Sequence, residues 1–386
     1  MTGTPDSGRL HIVLLGERNS GKSSLLNALA GQQVSIVSDV PGTTTDQVSK
    51  AMEIIGLGPC VLLDTAGLDD SGELGGKRVE KSLEALRGAD IVLSVIDATT
   101  GHIPEIPLKN VPAVPVINKC DLIDSESRER LSAAMSARYG REAVFVSAIS
   151  GEGISDVLEA VREAVPEDWD APLLTAGVVN EGDLVVLVMP QDRQAPKGRL
   201  ILPQQQTIRE LLDRRCRVVC CTTDCLKQTL DSLKDKPAAI ITDSQDFAAV
   251  HALTPEGTVL TSFSILLAAS KGDIEFFKES ARKIDSLTQD SKVLIAEACT
   301  HVPASEDIGR VKIPRLLRSR AGEGLKVDVV SGRDFPKDLR GYDLVIHCGA
   351  CMFNRRYVLA RVRQAKEQGV PMTNYGVTIA YINKLI

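Results

Sequence analysis

The 386 residues predict an α/β chain of three domains. These are a P-loop nucleotide-binding fold with a mostly parallel sheet, a small middle α/β domain, and a C-terminal α/β domain carrying a cluster of thiols and imidazoles. Three observations lead there. Apolar strands alternate with helical periodicity from end to end, the pattern of parallel sheets with crossover helices. A glycine-rich turn, Gly16-Glu17-Arg18-Asn19-Ser20-Gly21-Lys22-Ser23, joins a strand at 11–15 to a helix at 24–29. Near the far end, Cys299-Thr300-His301 and His347-Cys348-Gly349-Ala350-Cys351 bring three thiols and two imidazoles to predicted strand ends.

Composition bounds the reading. Hydrophobic residues make up 43% and aromatics 3%, so the cores are built from Leu, Val, Ile and Ala. A net charge of −6 argues against a generic nucleic-acid binder. The apolar run 10–15 is too short, and lacks the basic flank, for a signal peptide. No run approaches the ~18 apolar residues of a membrane helix. Nine cysteines without a secretory segment suit a reducing cytoplasm, with the thiols free or metal-bound.

The first domain is read over 8–168. In G-x-x-x-x-G-K-S, Gly16 and Gly21 let backbone N–H groups of the turn, including Ser20, close on phosphate oxygens. Lys22 reaches the β- and γ-phosphates, Ser23 offers a hydroxyl to Mg²⁺, and Ser24 opens the helix. The hydroxyl-rich loop 39–46 supplies a threonine to Mg²⁺ and the γ-phosphate. Asp64-Thr65-Ala66-Gly67 ends a buried strand, with Asp64 on Mg²⁺ through water and the Gly67 amide at the γ-phosphate. Asn118-Lys119-Cys120-Asp121 selects guanine, because a carboxylate accepts from the paired N–H donors that adenine lacks. Ser147-Ala148 backs the base. Together these residues predict GTP binding and hydrolysis. Leu68 stands where a water-orienting glutamine would act, so intrinsic hydrolysis should be slow. Asp69, Asp70 and Glu73 are read as a solvated loop.

Residues 166–172, with the single tryptophan, form a linker. The middle domain, 172–263, repeats strand and helix without a catalytic constellation. Cys216, Cys220, Cys221 and Cys225 are read as packing residues, since adjacent Cys220 and Cys221 in a strand face opposite ways. Cys60 and Cys120 are read as structural too.

The last domain, 264–386, opens on a helical stretch 264–287. Strands ending at Cys299 and at His347-Cys348 would bring those ligands together outside the sheet's carboxyl edge if the strands are parallel. A basic helix is expected over 306–320. Either zinc or an iron–sulfur cluster suits the ligand set, and spacing alone leaves both open.

Asn19, Gly42-Thr43-Thr44 and the motif order resemble the TrmE/Era class of bacterial GTPases. That resemblance implies Thr44 as the Mg²⁺ ligand and Asn19 as a K⁺ ligand, although Arg18 replaces the proline common there. Joined to a middle α/β domain and C-x-H…H-C-x-x-C, the whole chain resembles the HydF family of [FeFe]-hydrogenase maturation GTPases. The resemblance implies a cytoplasmic homodimeric scaffold, dimerising through the middle domain. Cys299, Cys348 and Cys351 would hold a [4Fe–4S] cluster, with His301 and His347 as possible fourth ligands or as groups that support the ligands from behind. A diiron precursor would pass through it to apo-[FeFe]-hydrogenase, with two radical-SAM maturases as further partners. No nucleic-acid or membrane partner is implied. The rival expectation is a ribosome- or tRNA-directed GTPase with a structural zinc. Arg355 and Arg356, at the start of the helix after Cys351, are read first as a solvated helix start, with an anionic diiron unit as the alternative ligand that a helix N-terminus and guanidinium groups would favour.

Overall fold

The computed structural model describes residues 6–31, 35–40, 49–65, 67, 79, 82–105, 111–166, 169, 172–189, 200–298, 307–332 and 334–384. The chain divides into two compact units, Met1–Asp170 and Ala171–Ile386.

The first unit is built on a seven-stranded sheet. Its strands are β1 Leu10–Leu15, β2 Ser35–Val40, β3 Ser49–Ile54, β4 Gly58–Asp64, β5 Ile91–Asp97, β6 Ala113–Asn118 and β7 Val144–Val146. Their order is β2-β3-β4-β1-β5-β6-β7. The β2/β3 and β3/β4 pairs are antiparallel, and β4, β1, β5, β6 and β7 run parallel. Central strands are mainly apolar because both faces are covered. Leu10, Ile12 and Leu14 of β1 join one core with Leu25 and Leu29 of α1 (Lys22–Gly31), while Val13 and Leu15 join a second. Helix α2 (Ser125–Tyr139) supplies Leu131 and Met135 to a third cluster, and α3 (Ile154–Ala164) packs Val157 and Val161 into the first. Parallel topology puts the ends of β1, β4, β5 and β6 on one edge, where the nucleotide motifs lie.

The second unit holds two parallel sheets of four strands each. The first has the order β11-β10-β8-β9, from β8 (Leu184–Val188), β9 (Arg217–Cys221), β10 (Ala239–Thr242) and β11 (Val259–Ser262). Helices α4 (Leu202–Asp213), α5 (Leu226–Ser232) and α6 (Phe247–His251) connect these strands. The second sheet has the order β13-β12-β14-β15, from β12 (Lys292–Ala296), β13 (Lys326–Val330), β14 (Leu344–His347) and β15 (Met372–Asn374).

The helical stretch expected at 264–287 is broken. Helix α7 (Phe263–Lys271) stops at Gly272, α8 runs Ile274–Ala281, and a 3₁₀ turn follows at Arg282–Ser286. Any side chain at Gly272 would put its Cβ 2.5 Å from the Phe277 ring, and Asp273 caps α8 by accepting from Phe276 N. Helix α7 serves both sheets: Phe263 and Leu266 lie in the core of the first, Ala268 in that of the second. The expected helix at 306–320 also begins differently, with a π-turn at Ile308–Lys312 before α9 (Ile313–Ala321). Pro314 follows directly, and its missing N–H interrupts the π-type ladder after the bond from Ile313 N to the Ile308 carbonyl. Helices α10 (Arg355–Glu367) and α11 (Tyr375–Ile382) complete the unit.

Candidate functional site

The nucleotide pocket lies at the carboxyl edge of the seven-stranded sheet. Gly16 passes so close to β5 that a Cβ would stand 2.2 Å from the Val95 carbonyl oxygen. Gly21 has φ +87°, and a Cβ there would meet Asn118 Nδ2 at 2.1 Å. Asn19 is left-handed at φ 61°, a conformation its short amide tolerates. Ser20 Oγ donates to the Glu17 carbonyl at 2.9 Å, and Lys22 Nζ donates to the carbonyls of Gly16 (3.1 Å) and Glu17 (2.7 Å). The turn is thus held by hydrogen bonds among its own polar groups.

Ser23 Oγ donates to Asp64 Oδ2 at 2.5 Å. Burial pushes the Asp64 carboxyl above its ordinary range, and the Ser23 hydrogen bond and Lys22 pull it back. Its second oxygen, Oδ1, is buried with no hydrogen-bond partner among the described residues. The Ser23 hydroxyl and a buried carboxylate with one unpartnered oxygen suit a hard divalent cation, so the residues present fit Mg²⁺. Gly67 is buried beside this strand end, Ser24 is exposed on α1, and Thr44 lies outside the described residues.

Asn118 ties the pocket together. Its Nδ2 donates to the Ser20 carbonyl at 3.0 Å, and its Oδ1 accepts from Ala148 N at 3.1 Å. Buried Ser147 accepts from Ser150 N at 3.3 Å and so shapes the turn that follows Ala148. Asp121 is exposed and open to a ligand. Lys119, left-handed at φ 64°, reaches Asp97 Oδ2 at 2.5 Å. Asp97 belongs to none of the motifs read from the sequence. Its signal was a carboxylate closing an apolar strand at the ligand-binding edge.

The thiol loop lies at the carboxyl edge of the last sheet. β12 and β14 are parallel neighbours with Ala296 opposite His347. Cys348 N continues the ladder to the Ala296 carbonyl at 2.9 Å. Its Sγ accepts from Ala298 N at 3.0 Å and from Ala350 N at 3.4 Å, with Ala350 left-handed at φ 51°. Cys299 follows Ala298 directly in sequence; Cys299 and His301 lie outside the described residues. Among the described residues there is no group of three Cys, His, Asp or Glu placed to hold a metal. A sulfur held by backbone N–H donors, beside a chain that continues into a second cysteine, nevertheless fits thiolate ligation of a cluster. Burial raises the Cys351 thiol, and Lys271 opposes the rise.

His347 is not an open ligand. Its Nδ1 donates to the Cys348 carbonyl at 2.8 Å, so its Nε2 is left to accept from Arg361 Nη1 at 2.8 Å. Burial lowers its pKa to about 3, helped by the Arg361 charge, so the ring is neutral with both nitrogens engaged. Of the two roles expected for His347, this geometry favours a group that supports the cysteine loop over a fourth ligand. Sequence reading also missed Arg361 and Lys271. The Arg361 guanidinium lies over the Phe335, Phe353 and Tyr357 rings. Lys271 Nζ donates to the carbonyls of Ala350 (3.0 Å), Phe353 (2.8 Å) and Cys351 (3.5 Å).

Other expectations divide. Cys60, Cys120 and Cys216 are buried, and burial pushes the Cys60 thiol up to about 12. Cys220 and Cys225 are exposed, against the packing reading, because β9 is an edge strand and Cys225 lies in the turn beyond it. Arg355 Nε donates to the Ser270 carbonyl at 3.2 Å. Three cations of the basic 306–320 segment are engaged internally: Arg310 by Glu297, Arg318 by the Leu325 carbonyl, and Arg320 by Asp285 and the Ile382 carbonyl.

The fold and pocket define a P-loop GTPase of the TrmE/Era class. Residues 11–119 match the family described as 50S ribosome-binding GTPase. The tRNA modification GTPase MnmE of Moorella thermoacetica is 36% identical over 162 residues, covering 40% of this chain and 35% of that protein. GTPase Der of Kosmotoga olearia is 32% identical over 170 residues, covering 40% of this chain and 38% of that protein. The chain thus spans little more than a third of the length of these curated relatives. The solved structure of Era from Aquifex aeolicus aligns at 23% identity over 55% of this chain and 93% of that chain, with a TM-score of 0.35. The remainder is what distinguishes this chain. Residues 174–272 match the hydrogen maturase F dimerization domain, and residues 275–386 match the hydrogen maturase F tetramerization domain. The chain belongs to the hydrogen maturase F (HydF) family of TrmE/Era-like GTPases.

Proposed function

We propose that the chain is a GTP-hydrolysing iron–sulfur scaffold that carries a diiron precursor of the [FeFe]-hydrogenase active site and delivers it to apo-hydrogenase. Residues 8–168 bind and hydrolyse GTP, 172–263 dimerise, and 264–386 hold the cluster. The observation that carries this reading is the Cys348 sulfur, held by the amides of Ala350 and of Ala298, the residue before Cys299 in sequence. Cys299, Cys348 and Cys351 hold a [4Fe–4S] cluster, which when bound offers an iron whose fourth ligand is exchangeable. With His347 engaged elsewhere, His301, a carboxylate or water completes the site.

In the first domain Lys22 and the turn amides hold the β- and γ-phosphates, and Asp121 and Ala148 hold guanine. Ser23, Thr44 and, through water, Asp64 hold Mg²⁺, which neutralises phosphate charge. The Gly67 amide reports the γ-phosphate, and Asn19 contributes to a K⁺ site. Radical-SAM maturases supply the precursor. The cytoplasm suits exposed thiols, and no helix among the described residues is long and apolar enough to cross a membrane.

Anaerobic purification followed by iron and sulfide assay and visible absorption tests the reading. A brown protein with about four irons per chain is expected for one [4Fe–4S] cluster. One zinc per chain and no iron would replace the scaffold with a ribosome- or tRNA-directed GTPase carrying a structural zinc.

A further inference from the structure

Lys271 reaches the thiol loop from outside the strands that carry the cysteines. It is the last residue of α7, whose other end is fixed in the middle sheet. Ser262 closes β11 and caps the helix by accepting from Ile265 N at 3.3 Å, and Phe263 and Leu266 lie in that sheet's core. At the far end the Lys271 ammonium is buried at 6% exposure, so its charge is met by the loop rather than by water. An ammonium has three donors, and three carbonyls of one short loop accept them: Ala350 at 3.0 Å, Phe353 at 2.8 Å and Cys351 at 3.5 Å.

Carbonyl dipoles converging on one point repel each other unless a cation sits among them. Here Lys271 is that cation. It makes the inward turn of residues 350–353 favourable, and with it the left-handed Ala350 that separates Cys348 from Cys351. The same charge lies near both thiols. An electron added to a cluster on those thiols raises its negative charge, which a buried cation stabilises with little screening.

We infer that Lys271 is a positioning residue of the cluster site: it fixes the Cys348–Cys351 turn, raises the reduction potential of the cluster held there, and ties that turn to the middle sheet through α7. This rests on the cluster reading above.

The test uses the full chain with Lys271→Met, which keeps the bulk of the stem, and Lys271→Arg, which keeps charge and donors. Hydrogen exchange at residues 348–354 is measured on cluster-free protein, and the midpoint potential after reconstitution. Lys271→Met should exchange this segment at least tenfold faster while exchange in β12 and β14 and GTP hydrolysis stay at wild-type rates. Its potential should fall, because the cation that favours the added electron is gone. Lys271→Arg should hold the potential near wild type, and it carries that arm even if the methionine variant folds poorly. A folded Lys271→Met protein with unchanged loop exchange and potential overturns the inference, as does a Lys271→Arg shift as large as that of methionine. Wild-type protein that binds no iron overturns the cluster reading instead, and the exchange measurement still decides whether Lys271 holds the turn.

Discussion

Ala298 and Cys348 are joined by an N–H···S hydrogen bond of 3.0 Å across neighbouring parallel strands. The bond sets Ala298, the residue before Cys299 in sequence, against the sulfur of Cys348. Each of Cys299→Ser, Cys348→Ser and Cys351→Ser should therefore lose most of the iron of the reconstituted protein and all ability to activate apo-hydrogenase. GTP hydrolysis should stay within about twofold of wild type, because independent sites contribute additively. Iron and sulfide assays beside phosphate release check this. A single variant that still matures hydrogenase would end the scaffold reading.

In the nucleotide pocket, Lys22→Ala should reduce GTP turnover on the order of 100-fold or more, the cost of removing a charge aimed at the transferring phosphate. Cluster assembly should be intact. Asp121→Asn keeps the shape but removes the charged acceptor, so GTP should lose its advantage over other purine triphosphates in competition binding. Turnover should also be faster in K⁺ than in Na⁺; equal rates would remove Asn19 from the cation site.

Asp97 gives the first domain a pH dependence. Burial pushes its carboxyl up, but hydrogen bonds from Lys119 and Thr99 outweigh that and hold it below the ordinary carboxylate range. The folded pKa lies under the unfolded one, so the contribution is present above the unfolded carboxylate pKa. It is lost as pH falls through the lowered value. Asp97→Asn should melt at a lower temperature than wild type at neutral pH, with the gap closing toward strongly acidic pH. Thermal unfolding across that range measures it; a constant gap would mean the charge of Asp97 is not what stabilises the turn at Lys119.

The parallel cores were legible because their strands are apolar on both faces, as β1, β5 and β6 show. The nucleotide residues were legible because phosphate and guanine chemistry demands fixed spacings. The hairpin of β2 and β3 was not: Ser35–Val40 and Ser49–Ile54 mix polar residues into short strands, and the segment between them reads as a loop. β15 is three residues long, too short to show a period. Lys271 reads as an ordinary cation at a helix end, and nothing local marks the carbonyls it holds. The break at Gly272 was equally silent, since it comes from the Phe277 ring packing back against the turn.

His347 shows how tertiary context reassigns a residue that the sequence placed in a ligand motif. It closes β14, and Arg361, on α10, turns its guanidinium onto Nε2 from the far side of the ring. The other nitrogen is spent on the Cys348 carbonyl, so the imidazole braces the loop through its backbone. Replacing it removes a buried partner of a buried cation, a loss of about 1–3 kcal/mol. His347→Ala should therefore lower thermal stability by that amount, yet leave the spectrum of the reduced cluster at its wild-type position once the variant is reconstituted. His301→Ala is the variant whose spectrum would move if imidazole is the fourth ligand. Electron paramagnetic resonance of both reduced variants, beside their melting curves, separates the roles. A shifted spectrum in His347→Ala at unchanged stability would return that histidine to the metal.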